Sequence, residues 1–299
     1  MRRFLITLVV VASAHGQGLD QVLAEAKAVR AAPGEEFQNY ADILKAIRNR
    51  SVGLQAALRD WIEPQLPANL TNVDAELTLV KARFMTELDR AGLMGQEFEP
   101  KPGFVSRIEL SHLAEAPEFL VVIVGTGVPC GSDDVVYVYD YSKGAPRRML
   151  ESHGTRDSDE GVRHVQFSKR DASGSRLILT LRFSAQCGSS WMALSYDLFR
   201  LPGAALLLAK DHSIWLGMDP PYNVRLEPSE LLLEFRDRSI DMGIHNRTHV
   251  LHYRIDESSS ERIDPVALLP QDFVDEWLTR PWSEMQSRSV ENKDEALKK

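Results

Sequence analysis

Residues 119–140 read FLVVIVGTGVPCGSDDVVYVYD. The runs Phe119–Val124 and Val135–Tyr141 are short and rich in β-branched and aromatic residues, a composition typical of β-strands. Small and polar residues around Cys130 separate the two runs. The stretch therefore predicts two strands joined by a cysteine-bearing loop, with Tyr139-Asp140 near the end of the second strand.

The same features return further along the chain. Cys187-Gly188-Ser189 follows Cys130-Gly131-Ser132 by 57 residues, and Tyr196-Asp197 follows Tyr139-Asp140 by the same distance. A weaker third copy, without the cysteine, covers Leu231–Asp256. Self-similarity at a fixed spacing is the signature of a repeated structural unit. We therefore predict about three copies of one β unit.

Three copies of a three- or four-stranded meander predict about ten to twelve strands between Val105 and Ile263. We expect these strands to form an antiparallel sandwich or an open curved sheet. Phe167-Ser168 followed by Gly174–Ile178 resembles the opening of a β-propeller blade, which makes propeller-like blades the second interpretation. Three blades are too few for a closed ring, which typically has four to eight.

The region before the strands is helical by its periodicity. Apolar residues recur three and four positions apart from Leu19 to Met94, with breaks at prolines and a stop at Gly92. About four helices are predicted, with stripes at Leu19–Val29, Phe37–Ile47, Leu54–Trp61 and Leu77–Leu88. The fold class is therefore α+β, with a helical region over residues 17–100 and a β domain over residues 104–265.

The C-terminal part predicts one more helix. Residues 268–286 carry Phe273, Val274, Trp277 and Leu278 on one helical face, with acidic residues in the first turns, where the helix dipole favours them. Residues 287–299 are charged and predict a disordered tail.

The N-terminal residues predict export. Arg2 and Arg3 precede an uninterrupted apolar run from Phe4 to Ala14, and small residues follow as a cleavage site, so residues 1–16 match a signal peptide. The run is too short for a membrane-spanning helix, which needs about 20 residues, and no later stretch approaches that length. We expect a secreted or periplasmic protein without a membrane span.

Charge and motifs exclude several classes of function. The formal net charge of −8 disfavours nucleic acid and anionic membranes as partners. No Walker loop or dinucleotide-binding fingerprint occurs, so no cofactor is predicted.

Cys130 and Cys187 are the two cysteines of the chain. An oxidising compartment and an even count favour a disulfide bond between them. Bonded cysteines have Cα atoms within about 7 Å, so the bond would bring equivalent loops of two copies into contact. This slightly favours the sandwich over propeller-like blades, whose equivalent loops generally lie further apart. Two separate buried thiols are the alternative.

The cysteine loops are the first candidates for a ligand site, because they combine small, polar and acidic side chains. The candidate ligand-binding residues are Ser132, Asp133, Asp134, Ser189 and Trp191. In the alternative interpretation these residues only form turns and packing positions of the repeat.

Two metal sites are weaker candidates. Asp157 and Asp159 resemble the opening of a calcium loop, but the third ligand is not in register, which favours a solvated turn. His245, His249 and His252 could supply zinc ligands, but His249 and His252 differ by three positions and would point to opposite faces of a strand.

These patterns favour a non-enzymatic exported protein whose β-repeat domain binds a protein, a small molecule or a glycan. The alternative is a hydrolase of an extracellular or cell-envelope polymer, with its acids supplied by Asp133, Asp134 or Asp157–Glu160.

Overall fold

The computed structural model describes residues 18–32, 40–70, 73–95, 101–128, 131–153, 160–185, 192–214, 222–238 and 246–263. These residues form three α-helices followed by twelve β-strands, a mostly β architecture with helices at its N-terminal end. The predicted signal peptide, the predicted helix over residues 268–286 and the predicted tail lie outside the described residues.

The helices are α1 (residues 18–31), α2 (Tyr40–Ile62) and α3 (Val73–Arg90). The sequence predicts four helices, but the stripe that ends at Ile47 and the stripe that begins at Leu54 belong to the single helix α2. Gly53 lies between them, and one glycine weakens a helix without ending it. A Cβ atom at Gly53 would lie 2.7 Å from Oε2 at the flexible end of the Glu25 side chain on α1.

Gly92 ends α3, as the sequence predicts. Its φ of +66° lies in the left-handed region that glycine adopts without steric cost. Its N–H donates to the carbonyl of Asp89, and the N–H of Leu93 donates to the carbonyl of Leu88, at 2.9 Å each. These bonds satisfy carbonyl groups that the end of a helix otherwise leaves unpaired.

The strands form three four-stranded antiparallel sheets, and each sheet is a meander whose neighbours in space are neighbours in sequence. The first sheet contains β1 (Val105–His112), β2 (Phe119–Val128), β3 (Gly131–Asp140) and β4 (Arg147–Ser152). The second contains β5 (Glu160–Phe167), β6 (Arg176–Ala185), β7 (Met192–Leu201) and β8 (Ala205–Ile214). The third contains β9 (Tyr222–Glu227), β10 (Glu230–Arg238), β11 (Asn246–Ile255) and β12 (Ser260–Arg262).

The first sheet is buried on both faces, because successive side chains of a strand point to opposite sides. Leu120 and Val122 of β2 pack against the helices. Val121 and Ile123 of the same strand pack in a second cluster with Ile178 of the second sheet. β2 carries an uninterrupted apolar run because it lies between the helices on one side and the second sheet on the other.

The second and third sheets also pack face to face. Leu179 and Leu181 of β6 share a core with Leu231 and Leu233 of β10. The described residues therefore form four layers, one of helices and three of sheets. The strands belong to separate stacked sheets and not to one continuous curved sheet.

The repeated tyrosines do not occupy equivalent places, contrary to the prediction from their spacing. Tyr139 packs in the cluster formed with the helices, whereas Tyr196 packs in the cluster formed with the third sheet. Tyr139 thus faces the layer before its sheet and Tyr196 the layer after its sheet. A shift of one residue along a strand turns a side chain to the opposite face of the sheet. The equal spacing of the two tyrosines in the sequence therefore did not place them on the same face of their sheets.

Candidate functional site

Three of the predicted ligand-binding residues, Ser132, Asp133 and Asp134, lie together at the start of β3. The remaining predicted residues, Ser189 and Trp191, lie outside the described residues, as do both cysteines and the calcium candidates Asp157 and Asp159. The described part of the candidate site is therefore the junction of β3 with its neighbours.

Asp134 is completely buried, and a chain of two serine hydroxyls ends at one of its carboxylate oxygens. The hydroxyl of Ser132 donates to Asp134 Oδ1 at 2.5 Å, and the hydroxyls of Ser106 and Ser132 lie 2.7 Å apart. Because the proton of Ser132 is used by Asp134, Ser106 is the donor to Ser132. This chain of bonds runs from β1 to β3 across the first sheet.

The second oxygen of Asp134 reaches the second sheet. Asp134 Oδ2 accepts the backbone N–H of Val162 in β5 at 2.8 Å and lies 3.2 Å from Nε of Arg107. Nη2 of Arg107 in turn donates to the carbonyl oxygen of Val162 at 2.8 Å. Both backbone polar groups of Val162 are thus bound by side chains of the first sheet.

Arg182 of β6 enters the same junction from the second sheet and is fully buried. Its Nη1 donates to the carbonyl of Asp134 at 2.5 Å and its Nη2 to the carbonyl of Ser152 at 2.8 Å. Asp197 Oδ2 lies 4.0 Å from Nε of Arg182. Buried charges persist when they are paired and hydrogen-bonded, and this arginine meets both conditions.

Sequence reasoning missed Arg182, although a signal was present. It is a lone charged residue in the otherwise apolar and polar-neutral run Leu177–Phe183. A charge at a buried position of a strand requires partners on a neighbouring element. The run itself could have indicated a buried ion, but not which residues bind it.

Gln55 connects helix α2 to the same strand. Its Nε2 lies 3.0 Å from Asp133 Oδ2 and 3.2 Å from Thr126 Oγ1. The hydroxyl of Tyr137 donates to the backbone carbonyl of Gln55 at 3.3 Å. Burial raises the pKa of Tyr137, so this hydroxyl remains a donor. Asp133 is therefore engaged in docking the helix onto the sheet.

A cleft of about 300 Å³ lies beside this junction, between the first and second sheets. Val121 and Ile123 of β2 lie at its base, but both are almost fully buried, so most of the exposed lining is polar. Alternate residues of a strand lie on one face, so the wall formed from alternate residues at β1 is a face of the first sheet. The other wall is formed by consecutive residues of β5, so it is an edge of the second sheet. The wall residues are Arg107, Glu109 and Ser111 on β1, Leu113 directly after β1, and Val162, Arg163, His164 and Val165 on β5.

The cleft carries more positive than negative groups. Two arginines, Arg107 and Arg163, line it together with one carboxylate, Glu109. Glu109 Oε1 lies 3.7 Å from Nη1 of Arg107. Nε2 of His164 lies 3.3 Å from Gln166 Oε1. Convergent polar groups in a concave site orient a bound ligand, and here they make up most of the exposed lining.

The histidines predicted as zinc candidates do not gather a metal site within the described stretches. His249 and His252 both lie on β11, and Nε2 of His252 lies 2.5 Å from Glu230 Oε1. His245 is outside the described residues. Among the residues that the structure describes, no group of three histidine, cysteine or acidic side chains could hold a metal ion.

Comparison with known proteins does not assign this chain to a group. No protein-family model matches it, and no curated protein is similar to it in sequence. None of the described helices is both long enough and apolar enough to span a membrane.

Proposed function

We propose that this chain is an exported, non-enzymatic binding protein whose ligand occupies the cleft between β1, β2 and β5. The observation that carries this proposal is the cleft itself, about 300 Å³ in volume, with Val121 and Ile123 as its floor. Volumes from about 300 Å³ upward are typical of small-molecule sites. A small molecule, a sugar unit or a few residues of a partner protein would fill it.

The alternative function, a polymer hydrolase, is less well supported by the same residues. Asp133 accepts a hydrogen bond from Gln55, and the buried Asp134 accepts hydrogen bonds from Ser132 and Val162. Both acids therefore bond parts of the fold to one another. Glu109 is the one carboxylate among the described residues that line the cleft. Glycoside hydrolysis generally needs two carboxyl groups about 5 to 10 Å apart.

The proposed disulfide bond is supported by the residues on either side of it. Cys130 directly precedes β3, and Cys187 follows the end of β6 by two residues. Arg182 of β6 donates to the carbonyl of Asp134 of β3, so these two strands are adjacent across the sheet interface. In the sequence, Cys130 is four residues from Asp134 and Cys187 is five residues from Arg182.

The direction of the strands agrees with this pairing. Asp140, at the end of β3, and Arg176, at the start of β6, line one crevice. The opposite ends of the two strands, which lead to the cysteines, therefore run toward a common end of the sheet stack. A disulfide bond at that end would require an oxidising compartment, in agreement with the export that Arg2, Arg3 and Phe4–Ala14 indicate.

We further propose that the three sheets are propeller-like blades in an open arc. Each sheet is a four-stranded meander, which is the form of a blade. The helices cover the outer face of the first sheet through residues such as Leu120 and Val122. Closure of a ring through that face would require the helices to move away.

The binding function is tested with Ser111→Trp, which fills the cleft, and with Ser258→Trp, an equivalent change at an exposed turn. Mature protein is screened against a glycan array and a displayed peptide library. We expect ligands that bind the wild type and Ser258→Trp but bind Ser111→Trp at least tenfold more weakly. Binding that is equal for all three proteins would contradict the proposal.

The same preparation distinguishes the hydrolase and tests export. Incubation with polysaccharide, peptidoglycan and casein, followed by mass spectrometry, should release no products, and turnover of any of them would overturn the non-enzymatic assignment. The N-terminal sequence of the secreted product should begin near residue 17. A reduced cytoplasmic product with Met1 intact would contradict export.

A further inference from the structure

A second crevice lies between the first and second sheets and shares no lining residue with the cleft described above. Its volume is about 160 Å³, roughly the space of five water molecules in the liquid. It is formed where β2, β4 and β6 begin and where β3 and β7 end. Phe119, Met149 and Leu201 supply apolar lining.

Three arginines from three different segments line this crevice: Arg147 on β4, Arg170 on the β5–β6 turn and Arg176 on β6. Glu118 pairs with two of them through a single oxygen. Glu118 Oε1 lies 2.6 Å from Nη2 of Arg170 and 3.1 Å from Nε of Arg176. One carboxylate therefore serves two guanidinium groups.

Asp140 is the second carboxylate of the crevice. Its Oδ2 lies 3.0 Å from Nη2 of Arg147, and its Oδ1 accepts the backbone N–H of Ser142 at 2.8 Å. Although burial alone would raise the pKa of Asp140, these hydrogen bonds lower it below its ordinary value. The crevice thus holds three guanidinium groups against two carboxylates, a surplus of one positive charge.

The arginines are held in place before any ligand arrives. Nη1 of Arg170 donates to the carbonyl of Gly174 at 2.7 Å, and Nη1 of Arg176 donates to the carbonyl of Ser168 at 2.9 Å. Asp171 secures the turn between them by accepting the N–H groups of Ser173 and Ser175 at 2.9 Å each. Groups positioned in advance lose little conformational freedom when they bind.

Two of the three arginines are accessible to a ligand. The side chains of Arg147 and Arg170 are 59% and 51% exposed, whereas that of Arg176 is 11% exposed. Arg147 bonds Asp140 through Nη2 alone among the contacts within the described part of the chain. A guanidinium group binds a carboxylate through two parallel N–H donors, and Arg147 keeps donors for a further anion. Both Nη atoms of Arg170 already bond Gly174 and Glu118, so Arg170 contributes mainly its positive charge.

We infer that this crevice binds a small organic monocarboxylate. The carboxylate lies between Arg147 and Arg170 and offsets the surplus positive charge, while the apolar part of the ligand contacts Phe119 and Met149. Such a ligand is small enough for about 160 Å³. This site is independent of the binding function proposed for the first cleft.

The test is an NMR titration of the mature protein with sodium propionate at constant ionic strength, followed through the backbone amides of Ser142 and Gly174. We expect saturable shifts with propionate and at least tenfold weaker binding of propionamide, which has the same shape without the charge. Arg147→Gln should weaken propionate binding at least fivefold. Arg90→Gln, at an exposed arginine in the last turn of α3, should leave it unchanged.

Three results would overturn the assignment. Equal binding by wild type and Arg147→Gln would mean an adventitious ion only. Tighter binding of sodium sulfate than of propionate would show that the apolar lining plays no part. Loss of the propionate shifts in Ser111→Trp would place the ligand in the first cleft, whereas their retention would support the second site even if the first cleft binds nothing.

Discussion

Arg107 and Asp134 bind the two backbone polar groups of one residue, Val162, across the interface of the first and second sheets. The ladder between β5 and β6 shifts register between Val162 and His164, which marks a bulge at this point. An edge strand with unpaired N–H and C=O groups invites pairing with another chain, and bulges and inward charges prevent it. The pair therefore both joins the two sheets and protects the edge of β5.

Replacement of Arg107 should weaken the fold and expose this edge. Arg107→Ala leaves the buried Asp134 carboxylate without its cation and the Val162 carbonyl without its donor, which should lower the free energy of unfolding by about 2 kcal/mol. Urea denaturation measures this loss, and light scattering should detect dimers. Arg163→Ala, at an exposed residue of β5, should change stability by less than about 0.5 kcal/mol. A monomeric Arg107→Ala protein of wild-type stability would contradict this interpretation.

Arg182 should be among the most sensitive polar positions of the described chain. Arg182→Met leaves the buried carbonyls of Asp134 and Ser152 without donors, and we expect a loss of about 3 kcal/mol in unfolding free energy. The matched change is Arg254→Met, which removes an exposed ion pair with Glu261 and should cost less than about 1 kcal/mol. Equal losses for the two variants in urea denaturation would argue against a structural role for Arg182.

The hydroxyls of Tyr196 and Tyr253 lie 2.6 Å apart in the core between the second and third sheets. Tyr196→Phe or Tyr253→Phe alone leaves the other hydroxyl buried without that partner, at a cost of about 1 to 2 kcal/mol. The double variant removes both polar groups and should lose less than the sum of the two single losses. Denaturation of the four proteins of this cycle measures the coupling, and strict additivity would show that the two hydroxyls do not interact.

Asp140 should contribute to acid sensitivity. Its pKa is lowered in the folded state, so its ionised form binds Arg147 and Ser142 more strongly than its protonated form does. The resulting stability is present above the unfolded-state pKa and is lost as the pH falls through the lower folded-state pKa. Asp140→Asn should therefore be less stable than the wild type at pH 6, and the difference should shrink between about pH 5 and pH 2.

Denaturation at several pH values checks this dependence, with Asp256→Asn, at an exposed turn residue, as the control. A difference between Asp140→Asn and the wild type that stays constant from pH 6 to pH 2 would rule out this linkage.

The proposed disulfide bond between Cys130 and Cys187 closes a loop of about 57 residues. The chain-entropy model assigns such a loop about 4 kcal/mol. Cys130→Ser and Cys187→Ser should each lower the unfolding free energy by up to that amount under oxidising conditions and have little effect in reductant. Reducing and non-reducing mass spectra should differ by two hydrogens, and identical spectra would exclude the bond.

Local patterns were sufficient for the kinds of elements in the described chain. The runs Phe119–Val124 and Leu177–Phe183 lie within β2 and β6, and the predicted ten to twelve strands are twelve in the described residues. These features depend on side-chain periodicity and turn residues, which are properties of neighbours in sequence. The predicted stop at Gly92 likewise depends on the conformational freedom of one residue.

The residues that form the candidate sites were mostly not predictable. Gln55 occurs in an ordinary helical stripe, and Arg107 and Arg147 lie in ordinary amphipathic strands. The importance of Gln55 and Arg107 comes from Asp133 and Val162, which are more than fifty residues away in the chain. The importance of Arg147 comes from the crevice that it shares with two other arginines. Periodicity carries no information about which distant segment covers a given face.

The sequence by itself determined where helices give way to strands, because the apolar residues change from a spacing of three and four to short β-branched runs. Only the tertiary structure decided that Tyr139 faces the helices while Tyr196 faces the third sheet. It also decided that Asp134 is a buried bond acceptor and not a residue of an open loop. The physical reason is that the stacking of the sheets decides which layer each face of a sheet contacts. A shift of one residue along a strand moves a side chain from one face to the other.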